Sequence, residues 1–189
     1  MAEIIESLRQ DHRAIEKMLL VLEHELGIFS RGERPDYEVI QTAIDYFRNY
    51  PDSCHHPKED VVFDALKGRD PATAVRVGDL PAEHRDCADR LDRAARAVES
   101  VLADGEILRQ TVDDLVRDFI EHERRHMAME ERVFFPAALA VLREEDWTRV
   151  TATITAGKAA PSSRLLEARF DEVRQRIVRL EEEAEAERG

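Results

Sequence analysis

The sequence predicts an all-α protein: an up-down-up-down four-helix bundle followed by one or two additional C-terminal helices. Three observations carry this. Apolar residues recur at spacings of three and four along most of the chain, the period of one helix face. Gly and Pro are sparse at seven each, and aromatic residues make up 6% against 37% charged, a composition poor in turn and strand formers. The breaks in the apolar pattern are short, so successive helices are antiparallel neighbours. The expected organisation of the 189 residues is a bundle over 1–142 and a helical extension over 143–189 that packs on the bundle or mediates oligomerisation.

The first helix is marked by Ile5, Leu8, Ile15, Leu19, Leu22 and Leu26, with His12 in the one gap of the stripe. Gly27 and the polar segment 30–35 end it, and Asp36 is placed to cap the next helix. That second helix covers about 37–67, with Ile40, Ile44, Phe47, Val62 and Leu66 inward and His55 and Glu59 on the same stripe. Pro51 and Pro57 each remove a backbone donor, which predicts a kink around the His pair. A turn at 68–71 leads to the third helix, whose stripe of Val77, Leu80, Cys87, Leu91, Ala94, Val98 and Val101 leaves its vacant position to His84. Gly78 and Pro81 interrupt its first turns. Beyond Asp104-Gly105 the fourth helix carries Leu108, Val112, Leu115, Phe119, Val133 and Ala137 inward, with His122, His126 and Glu130 on the same side. Residues 144–156 read as a short helix around Trp147, Val150 and Ile154, and 157–161 as a loop. The last helix has Leu166, Phe170, Val173, Ile177 and Leu180 at heptad spacing, and either lies across the bundle or pairs two copies as a homodimer.

The formal net charge of −13 argues against nucleic-acid binding, because no basic face is left to neutralise phosphates. No apolar run is long enough for a membrane span, and the acidic start, with Glu3 and Glu6, is unlike a secretory signal. A soluble, cytoplasmic protein is expected. Cys54 and Cys87 are too few for a disulfide framework and lack C-x-x-C spacing, so they read as small buried hydrophobes.

The residues that carry chemistry are the histidines in the stripes. At about 100° per residue, Glu59 falls angularly between His55 at i−4 and His56 at i−3, so two imidazoles straddle one carboxylate. His126 and Glu130 repeat the one-turn spacing in the fourth helix. Heights match as well: His55 and His84 are each about 12 residues from their shared turn, or roughly 18 Å, and His84 and His126 each about 19 to 20 residues from theirs. His12 is a looser match across the first turn. All four helices thus bring a His to one layer of an apolar seam. Burying imidazoles and carboxylates costs several kcal/mol unless they are paired or bind metal, and so many imidazoles in one layer have too few acceptors to satisfy one another. A Cys-free site with two potentially bridging carboxylates suits a pair of iron ions better than a structural zinc.

Gln10-Asp11-His12, the run from His55 to Asp60 followed by Val61-Val62-Phe63, Glu83-His84, and the run from His126 to Glu131 followed by Phe134-Phe135-Pro136 together resemble the hemerythrin-like proteins of the His-His-Glu cation-binding kind. The resemblance implies an oxo- or hydroxo-bridged di-iron centre with His12, His55, His84 and His126 as terminal ligands and Glu59 and Glu130 bridging. Oxygen-carrying members have a second His one turn after the ligand of the third helix, where this chain has Ala88. His56 is expected to fill that place, giving His12 and His55 to one iron and His56, His84 and His126 to the other. His122 is the rival, disfavoured because it lies two turns, roughly 11 to 12 Å, from Glu130.

The function implied is a di-iron protein binding dioxygen, nitric oxide or peroxide for sensing, storage or stress protection. The alternatives are an enzyme acting on peroxide or nitric oxide, an iron donor for iron–sulfur repair, and a helical interaction module with a structural metal. Tyr50, a turn before His55, reads first as a structural residue, with a hydrogen-bonding role beside the site as the alternative, Met127 and Met129 as packing residues, and His24 as a surface residue.

Overall fold

The computed structural model describes residues 2–158 and 161–188, and among these there is no strand. The first long helix, α1 (Ala2–Ser30), is followed by α2 (Tyr37–Tyr50), which passes through one wide π turn at Pro51–His55 directly into α3 (His56–Arg69). A short α4 (Pro71–Val77) precedes α5 (Leu80–Leu102). Then α6 (Arg109–Met129) passes through a second π turn, Glu130–Phe134, into α7 (Phe135–Val141), and α8 (Glu144–Lys158) and α9 (Pro161–Arg188) complete the chain. Contacts of α1 with α2 and α6, and of α5 with α2, α3 and α6, close the four-helix bundle.

The caps explain where the helices begin. Asp36 accepts from the backbone N–H groups of Glu38 and Val39 at 2.8 and 3.2 Å, as its position suggested, and the Glu25 carboxylate accepts from Asp36 N–H at 2.7 Å across the loop. Asp70 and Asp79 cap α4 and α5 in the same way. Between them Gly78, at φ +110°, takes a conformation that an L side chain would strain, so the expected third helix is broken there.

The expected kink around the prolines is a π turn in an otherwise continuous helix, with His56 N–H bonded to Pro51 O. The second π turn overturns one expected core position. Its extra residue shifts the helical phase, so Phe134 and Phe135 are fully buried while Val133 is 42% exposed. Leu108 was also expected inward but is 76% exposed, because it sits in extended backbone before the first turn of α6.

The core is divided. One apolar cluster contains Ile15, Leu19, Phe47, Leu91, Val116 and Phe119, and the other Ile5, Leu8, Val62, Leu80, Phe134 and Trp147. Along every bundle helix the chain passes from one cluster to the other through His12, through His55 to Glu59, through His84, or through His126 to Glu130. The polar layer therefore lies between two hydrophobic halves.

The extension covers the bundle from two sides. Trp147 and Val150 of α8 are buried in the second cluster, and the Arg69 guanidinium clamps the start of α8 with two 2.8 Å hydrogen bonds to Asp146. α9 packs on α1 and α2, burying Phe170 and Ile177, with Val173 and Leu180 partly buried; the Leu166 side chain lies outside the described residues, as do residues 159–160 of the expected loop. Among the described residues no helix is long and apolar enough to cross a membrane.

Candidate metal centre

Burial brings the polar residues of the four helices to one point. His12, His55, His56, Glu59, His84, His126 and Glu130 are all buried, Glu59 and Glu130 completely. Their possible donor atoms form two groups, His12, His55, Glu59 and Glu130 in one and His56, Glu59, His84 and His126 in the other, each spanning no more than 4.8 Å and able to hold a metal ion.

The carboxylates join the groups. Glu59 Oε1 lies 3.3 Å from His55 Nε2 and 3.8 Å from His12 Nε2, and its Oε2 lies 3.4 Å from His84 Nε2. Glu130 is arranged the same way, with Oε2 at 3.2 Å from His12 Nε2 and Oε1 at 3.2 Å from His126 Nε2 and 3.8 Å from His84 Nε2. Each carboxylate turns one oxygen to each group. His56 stacks on His84 with ring centroids 3.8 Å apart, which sets it in the second group.

A second set of carboxylates holds the rings from behind. His55 Nδ1 donates to Asp11 at 3.3 Å, and His12 Nδ1 donates to Glu131 at 3.1 Å. His84 Nδ1 faces Asp60 at 3.7 Å. An ionised carboxylate only accepts, so the Asp11 and Glu131 contacts place a proton on Nδ1 of His55 and His12 and, in the neutral ring, leave the Nε2 lone pair facing the centre. Asp11 is itself held by Lys58 Nζ at 2.8 Å, and Glu131 by Arg9 Nε at 3.0 Å. Tyr50 is buried beside Asp11, and burial together with the Asp11 charge raises its pKa. Sequence reasoning misses Asp11 and Glu131, because each acts on a histidine of another helix.

The site tests as a cation site on its unsatisfied atoms. His12 Nε2, His84 Nε2, both nitrogens of His126 and all four oxygens of Glu59 and Glu130 are buried without a hydrogen-bond partner. Orphaned polar atoms at this density cost several kcal/mol, and an ion between them removes the cost. The donors, imidazole and carboxylate without thiolate, fit a borderline metal.

His122, the rival ligand, is buried but stands in neither group. Its Nε2 faces Asp86 at 3.5 Å and Glu83 at 4.0 Å, and burial together with the Arg90 charge lowers its pKa. Cys54 and Cys87 are buried, Met127 is buried, Met129 is partly buried, and His24 is exposed.

In the metal-free chain the same carboxylates hold protons on the histidines. Burial disfavours the charged rings, but the approach of Glu130 and Glu59 outweighs it and lifts His12 and His84 to about 9. Against its own burial, His55 is lifted to about 10 by Glu59 and Asp11. Glu59, although desolvated, is pushed well below the usual range by His55, His12 and His84. These raised histidine values make the protonated folded form favourable. Their stabilisation is complete below the ordinary value of 6.5 and is lost as pH rises through about 9 to 10. The thermal midpoint of chelator-stripped protein, followed by circular dichroism, should therefore fall across that window. The metal-loaded protein should not show the fall, because there the ion replaces the protons. A stripped protein that gains stability over the same window would contradict this reading of the layer.

The model of the hemerythrin HHE cation-binding domain matches residues 3–138, a span that contains all seven clustered His and Glu residues. The chain belongs to this family. No curated protein and no solved structure matches it. Membership of the hemerythrin HHE family implies cation binding, and the buried His and Glu groups are where the geometry could hold the cation.

Proposed function

We propose that the centre holds two iron ions and that the protein binds a small oxidant, dioxygen, nitric oxide or peroxide, for sensing, storage or stress protection in the cytoplasm. The observation that carries this is the orientation of Glu59 and Glu130, each of which gives one oxygen to each histidine group. A single ion would use one oxygen of each and leave the other buried and unpaired. In this reading His12 and His55 hold one ion, His56, His84 and His126 hold the other, and the two glutamates bridge them. A nitrogen-rich iron pair supplies reversible redox chemistry and an open position for a small oxidant.

The chain's own part is to preorganise that pair. Asp11 and Glu131 fix ring tautomers and orientations, and Lys58 holds Asp11 in place. The two apolar clusters exclude bulk water from above and below the layer. Metal quantitation with absorption spectra of anaerobic and aerated protein tests the proposal. About two irons per chain, with bands that appear on aeration, are expected from the two donor groups. Fewer than one iron per chain, or zinc in its place, would sink it.

A further inference from the structure

A metal ion must cross the bundle wall to reach the centre. The two apolar clusters close the layer along the bundle axis, and beside α1 the Arg9–Glu131 and Lys58–Asp11 pairs stand behind the rings. The edge between α5 and α6 is different. There His122, one helical turn before His126 or about 6 Å along the axis, is 8% exposed, and its Nε2 is buried without a hydrogen-bond partner. The atom faces two carboxylates of α5, Asp86 at 3.5 Å and Glu83 at 4.0 Å, both beyond ordinary hydrogen-bond distance. Those two side chains are 48% and 50% exposed, so the three groups run from solvent to the interior.

The group has the donors of a divalent-cation site. Burial and the Arg90 charge favour the neutral His122 ring, the form in which a ring nitrogen can ligate. Arg90 is the cation that competes there. Its Nε donates to Asp86 at 3.1 Å and its Nη1 to Asp118, so an ion that takes Asp86 leaves Arg90 with a partner. One imidazole and two carboxylates suit ferrous iron, manganese or zinc. Half-exposed carboxylates and a competing guanidinium make the site weak, and a site that hands its ion on has to be weak. Glu83 adjoins His84 in the chain and His122 stands one turn from His126, so on both helices the next donor inward belongs to the group of His56, His84 and His126.

We propose that Glu83, Asp86 and His122 form an entry site, which takes a divalent metal ion from solvent and passes it to the group of His56, His84 and His126. What the site feeds rests on the di-iron reading; that an ion binds there does not. Two measurements on the full chain test it. Crystals of the iron-loaded protein soaked in cobalt(II) should show an anomalous-scattering peak between His122 Nε2 and the two carboxylates, and those of His122→Ala should not. In anaerobic stopped-flow mixing of stripped protein with cobalt(II), followed by visible absorption, His122→Ala and Asp86→Asn should each slow uptake by about tenfold or more, the scale on which loss of a supporting group weakens a metal site. The final metal content and the affinities at equilibrium should stay those of the wild type, which also shows that the variants fold. An empty site in the wild-type crystals, uptake at the wild-type rate in both variants, or a loss of equilibrium affinity in His122→Ala would overturn the entry site and leave the di-iron centre standing. A protein that takes up a single ion, the one at His122, would overturn the di-iron reading and with it the transfer.

Discussion

Glu59→Ala protein is expected to purify with neither metal ion bound. Loss of an orienting neighbour costs a metal site about 10- to 100-fold in affinity, and loss of a shared ligand removes a direct bond from both ions at once, so a fall beyond about 100-fold is expected at each. The geometry behind this is the pair of contacts from one carboxylate, Oε1 to His55 and His12 and Oε2 to His84. Because an ion that binds only the folded state stabilises it by about 2.7 kcal/mol when present at 100 times its dissociation constant, the variant should also melt at a markedly lower temperature than the loaded wild type. Metal analysis beside a thermal melt checks both. One ion retained at full occupancy would mean that Glu59 does not bridge.

His56→Ala is expected to do something different, weakening one ion and sparing the other. His56 belongs to the group with His84 and His126 and makes no contribution to the group of His12 and His55. The variant should therefore bind one iron as tightly as the wild type and the second at least about 10- to 100-fold more weakly. His122→Ala is the control. Its ring faces Asp86 and Glu83, outside the layer, and both ions should remain. Titration of each stripped variant with ferrous iron gives the two affinities. Loss of the second ion in His122→Ala, with His56→Ala unaffected, would reverse the assignment.

Much of this was legible along the chain, and the reason is specific to helices. A histidine in an apolar stripe is visible because the stripe has a known period, and Leu8, His12 and Ile15, or Leu80, His84 and Cys87, declare the buried position without any neighbour being seen. Antiparallel connection then gives His55, His84 and His126 a common height, with His12 a looser match. What could not be read were effects between helices or within a single irregular turn. Asp11 on His55, Glu131 on His12 and Asp60 on His84 are pairings across the bundle, and nothing in local spacing announces them. Val133 was misplaced because a regular period was carried through a turn that is not regular. The cavity lined by Phe47 of α2, His56 of α3, His84 and Ala88 of α5 and Phe119 of α6 depends on side chains from four helices, so the sequence marked the alanine but not the space.

The two π turns give residue count a chemical meaning. Each ends or begins at a member of the cluster, His55 in one case and Glu130 in the other. Deleting a single residue from either would restore a regular α-helix and rotate everything beyond it by about 100°. The composition would hardly change and every ligand type would still be present, yet Phe134 and Phe135, or Glu59 and Val62, would turn off the core. For this protein, then, a one-residue gap in a family alignment near 51–55 or 130–134 weighs more than a substitution nearby, because chain length at those two turns is part of the coordination chemistry.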